Sequence, residues 1–72
     1  MKQIGTLGKY DLYKIDFSEL KDGMKAVLKG FPILGTLKEK KDFFIFISNY
    51  GNKRVYPNDI ANLTIAIDRW ND

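Results

Sequence analysis

One run, Phe43-Phe44-Ile45-Phe46-Ile47, limits what this chain can fold into more than any other feature. Aromatic and β-branched side chains crowd the turns of a helix and fit the pleated surface of a strand, so the run reads as β. Alternation sends Phe43, Ile45 and Ile47 to one face and Phe44 and Phe46 to the other. Both faces are apolar, yet a small sheet or barrel buries only one. Either a further layer covers the second face, supplied by the N-terminal hairpin or the segment 16–23, or Phe44 and Phe46 form an exposed patch. Such a patch marks contact with a protein or with a second copy.

The length of 72 residues bounds the chain to a single domain, 1–72. A domain of this size buries only about 60% of its unfolded surface, so the core must be efficient. A hydrophobic content of 44% is enough for one core and too high for a disordered chain. There is no cysteine, and hence no disulfide to staple the fold. No apolar run approaches membrane-spanning length, and Met1–Gly8 lacks the apolar stretch of a signal peptide, so the expectation is a cytoplasmic protein with no membrane partner.

Turn residues punctuate the rest. Residues 3–7 and 10–15 read as a hairpin about Gly8-Lys9, and residues 24–29, 33–37 and 53–56 as further strands. The stretch 16–23 reads as one helical turn, capped by Asp16 or Ser18 and stopped by Gly23 in the left-handed conformation. Lys38-Glu39-Lys40-Lys41 reads as a charged hairpin tip. Two patterns compete after Tyr56. Leu63, Ile65 and Ile67 alternate as in a strand, whereas Ile60, Leu63, Ile67 and Trp70 are spaced as on a helix face opened by Pro57. The β-branched residues favour the strand, which makes the chain all-β. A helix over 57–70 would instead give an α+β fold, a three- to five-stranded antiparallel sheet with a C-terminal helix.

Two stretches carry a resemblance. Val27-Leu28-Lys29-Gly30-Phe31-Pro32-Ile33-Leu34-Gly35-Thr36-Leu37, then Asp42 opening the apolar run to Ile47, looks like the Sm pattern of strand, glycine turn, strand with a mid-strand glycine, and strand. Val55-Tyr56-Pro57-Asn58-Asp59-Ile60 looks like the short 3₁₀ turn before the last strand of such barrels. Residues 25–67 thus resemble the small SH3-like (Src-homology) and Sm-like (Hfq-type) β-barrels, which implies an all-β barrel with a short helical turn near 16–23. The resemblance implies a fold rather than a ligand. Hfq-type proteins carry Tyr-Lys-His where this chain has Tyr56-Pro57-Asn58, so their uridine pocket is not implied, and the peptide-binding aromatic cluster of Src-homology domains is reduced to Tyr56 and Pro57.

Function is read first by exclusion. With no histidine and no cysteine, the usual general base and the usual nucleophile pairs are missing. The carboxylates are scattered, and no metal-ligand spacing occurs. Gly5-Thr6-Leu7-Gly8-Lys9 lacks phosphate-loop spacing and reads as a turn. The expectation is a non-catalytic binding module without cofactor or metal. A protein partner leads, in an adaptor- or inhibitor-like role, through Phe44, Phe46, Tyr56 and Trp70. The alternative is sequence-independent binding of single-stranded DNA or RNA. The net charge is +3, and only two of the 12 basic residues are arginines. Lysine contacts phosphate as a point charge, while arginine reads base edges. Lys38, Lys40, Lys41, Lys53 and Arg54 could form a basic groove beside the stacking rings of Tyr50 and Tyr56. The bland reading of these lysines is a solvated surface that discourages edge-to-edge aggregation. Lys25 and Lys29 point outward if Ala26 and Leu28 point inward. Self-association into a ring or dimer is the third expectation and is compatible with either partner.

Overall fold

Two glycines in the left-handed region set the outer hairpins. Gly8 (φ 58°) turns β1 (Lys2–Leu7) into β2 (Tyr10–Lys14), and Gly51 (φ 128°) returns β5 (Phe44–Ser48) as β6 (Gly51–Val55). Between them lie β3 (Lys25–Leu28) and β4 (Gly35–Glu39), and β7 (Leu63–Asp68) comes last. The computed structural model describes residues 2–70. The seven strands make one antiparallel sheet in the order β1-β2-β7-β3-β4-β5-β6, an all-β architecture. Two short 3₁₀ turns, Phe17–Glu19 and Pro57–Asn62, complete it. No helix among the described residues is long and apolar enough to cross a membrane.

The helix over 57–70 does not form. Pro57 opens a 3₁₀ turn, fastened where the Asp59 carboxylate accepts the Tyr56 N–H at 3.0 Å. β7 then pairs on both sides, with β2 and with β3. A helix in its place would leave both ladders unmade and their backbone groups without partners, so the ladder decides against the helical spacing. Two boundaries also move. Lys38 and Glu39 belong to β4, and the hairpin tip is 40–43, closed by the Lys40 N–H to the Phe43 carbonyl at 2.9 Å.

The core sits on one face of the sheet, formed by Leu20, Ala26, Leu28, Leu37, Phe44, Phe46, Val55, Leu63 and Ile65. Phe44 and Phe46 are buried, at 5% and 0% exposure, which corrects the expectation that they form an interface. A further layer covers them. Phe17, in the turn after β2, sets its ring edge-on to Phe44 with centroids 5.6 Å apart, and Phe31 does the same to Phe46 at 5.1 Å. The 16–23 segment therefore acts as a lid, held by the Glu19 carboxylate accepting the Asp16 N–H at 3.0 Å and ended by Gly23 at φ 86°. Lys14 ties β2 to the second 3₁₀ turn by donating to the carbonyls of Ala61 and Leu63 at 2.7 and 2.9 Å.

Candidate functional site

Burying Ala26, Leu28, Leu37, Phe44, Phe46 and Val55 inward forces their strand neighbours outward. The register then decides which outward residues meet. Lys25 pairs with Thr36, Thr36 with Ile47, and Ile47 with Asn52, giving one row across β3–β6. Lys38 pairs with Ile45, and Ile45 with Arg54, giving the next row. Beyond that row, past the Phe44–Val55 pair, the rings of Phe43 and Tyr56 face each other, centroids 5.2 Å apart and tilted by 37°. The Arg54 guanidinium lies over the Phe43 ring at 5.4 Å from its centre. Tyr56 keeps 40% of its surface exposed.

The outward residues of β3–β6 thus include three cations, Lys25, Lys38 and Arg54, and no carboxylate. Lys25 donates to the Thr36 hydroxyl at 3.0 Å, and none of the three forms an ion pair among the described residues. Lys9 and Arg69, at the other side of the sheet, are engaged. Lys9 pairs with Asp68 at 3.2 Å, and Arg69 lies 3.8 Å from Asp11 and donates to the Gly8 and Lys9 carbonyls. The backbone N–H of Trp70 donates to Asp68 at 2.9 Å and, with help from Lys9, holds its carboxyl below the ordinary carboxylate range. The same pairing raises Lys9, chiefly through its hydrogen bond to Asp68.

The seven residues expected to form a basic, aromatic groove divide. Lys38, Arg54 and Tyr56 come together on the outward face. Lys40 and Lys41 stand at the adjoining 40–43 tip, beside a cleft of about 370 Å³ floored by Phe17, Leu20 and Phe44. Tyr50 is exposed in the β5–β6 turn, at the far end of β5 from that tip, so the two hairpin tips do not converge. Lys53 pairs with Phe46 and so lies on the opposite side of β6 from Arg54. Lys25 faces outward, as expected from the burial of Ala26 and Leu28. Phe43 is the site residue that sequence reasoning missed. Its shared parity with Ile45 and Ile47 was the available signal.

Of the four residues expected at a protein interface, Tyr56 and Trp70 reach the surface. Trp70 is 78% exposed. The two do not adjoin in the sheet, because Tyr56 follows β6 and Trp70 follows β7, with β3, β4 and β5 between those strands. Compared with known proteins, the chain matches no family model, no curated protein and no solved structure.

Proposed function

We propose that this protein binds single-stranded DNA or RNA, without reading base sequence, across the outward face of β3–β6. One observation carries the reading: three cations that form no ion pair among the described residues share this face with the Phe43–Tyr56 ring pair, and one of them, Arg54, lies over Phe43. Cations that track a backbone beside rings on which bases stack are the usual means of sequence-tolerant binding to single strands. Two of the three cations are lysines and the third is an arginine already laid over a ring, an arrangement suited to phosphate and stacking rather than to base edges. The protein acts by occupancy, without a chemical step, and the proposed location is the cytoplasm.

The same reading takes residues 25–67 as an SH3-like or Sm-like barrel. Its support is the strand order β7-β3-β4-β5-β6, with a 3₁₀ turn between β6 and β7, which resembles the order in those folds. A protein partner is the second reading. Its support is now Trp70, an exposed tryptophan with an amphipathic ring of the kind enriched at interfaces.

The test is fluorescence anisotropy with labelled single-stranded DNA, single-stranded RNA and duplex at two salt concentrations. Three phosphate contacts imply a loss of affinity of about twentyfold for single strands on going from roughly 50 to 200 mM salt. No binding at the lower salt overturns the proposal and leaves the protein partner in front.

A further inference from the structure

The two edges of the sheet differ. β6 carries Lys53 and Arg54 among its five residues and runs into Pro57, so charge and proline guard it. β1 is six residues long, contains no proline, and carries one charge, Lys2, at its first position. All six residues are exposed, with Ile4 at 50% and Leu7 at 47%. Ordering this strand therefore costs backbone entropy that the partial burial of Ile4 and Leu7 offsets only in part. Its outer rim still presents backbone N–H and C=O groups to whatever can pair with them.

We propose that β1 pairs with β1 of a second copy, antiparallel about a two-fold axis, and joins two sheets into one. The register that pairs all six residues sets Lys2 against Leu7, Gln3 against Thr6 and Ile4 against Gly5. The one charge on the edge then meets an apolar side chain instead of its own copy, and the two Ile4 side chains flank the axis. The register break between Gln3 and Gly5 falls at the axis too, so both copies contribute its extra twist symmetrically. Pairing like with like about a two-fold axis closes the assembly, because it consumes the only unguarded edge of each copy. The cation faces lie toward the far β6 edges and stay open. This goes beyond the binding proposal and does not depend on it.

The measurement is mass by sedimentation or light scattering on the full chain, from about 10 μM to about 1 mM. Twice 8.3 kDa is expected at the upper end. Ile4→Lys and Ile4→Glu should each weaken the dimer at least tenfold, since like charges then flank the axis. Because Ile4 is half exposed, both variants should keep the circular dichroism spectrum of the parent. An equimolar mixture of the two should recover a dimer, a rescue that only a symmetric contact at Ile4 produces. A strict monomer at the highest concentration overturns the proposal, as does a dimer that Ile4→Lys leaves intact or a mass that keeps rising beyond two copies.

Discussion

The ring of Phe46 lies against the bare backbone of Gly35. A β-carbon at Gly35 would come within 2.6 Å of Phe46 Cε1 and 2.8 Å of the Ile47 carbonyl oxygen. The glycine is thus a packing requirement, and the second obstacle is backbone in the β4–β5 ladder, which cannot yield cheaply. Gly35→Ala should destabilise the fold by about 2 kcal/mol, within the range for an overpacked core. Urea unfolding checks this. Adding Phe46→Leu should recover part of the loss, because contacting sites are not additive.

Phe44 and Phe46 are structural. Phe46→Ala should cost about 3–5 kcal/mol, as for other fully buried aromatics, and a domain this small has little more than that in total. Phe44→Asp should not fold, since it places a carboxylate beneath the Phe17 lid. A folded Phe44→Asp protein by circular dichroism would contradict this packing.

Binding should follow the outward face. Lys38→Glu with Arg54→Glu should weaken single-strand binding alike for all sequences and flatten its salt dependence. Tyr56→Ala should cost about 1–3 kcal/mol of binding if a base stacks there. Lys53→Glu, on the other side of β6, is the control and should change affinity far less. Equal losses from Lys53→Glu would mean that net charge, not this face, governs binding.

The Lys9–Asp68 pair should leave a signature in pH. Asp68 titrates below its ordinary value when folded, so its contribution is present above the unfolded value, about 4, and is lost as pH falls through the lower folded one. Lys9 titrates above its ordinary value, so its contribution is present below about 10.4 and is lost as pH rises through the higher folded one. Lys9 is exposed and Asp68 partly so, and water screens the pair, so the effects are small. Asp68→Asn should flatten the acid limb of stability against pH below about 4, and Lys9→Met the alkaline limb, as followed by urea midpoints.

Trp70 is the single tryptophan and stands in solvent. Its emission should resemble that of free indole in water and change little on unfolding. Trp70→Ala should leave stability within about 0.5 kcal/mol of the parent, as for surface changes away from structural features. A blue shift on adding a partner would place that partner at the β7 end of the sheet.

The strands were largely legible in the amino-acid order, because turn glycines and the alternation of residues 24–29, 43–47 and 63–67 are local signals. The outward placement of Lys25 followed from the same alternation. Three matters were not local. Residues 63–68 satisfy both a period of two and a helical spacing, and only the free ladders of β2 and β3 select the strand. Phe44 and Phe46 could be told apart from Phe43 by parity, but which face was covered depended on Phe17 and Phe31 folding back from distant segments. The grouping of Lys38, Arg54, Phe43 and Tyr56, and the parting of Tyr50 and Lys53 from it, came from cross-strand register and hairpin direction. Periodicity along a chain sets which side chains share a face. Which face meets water, and which strands lie side by side, is decided by long-range pairing that no short stretch of sequence encodes.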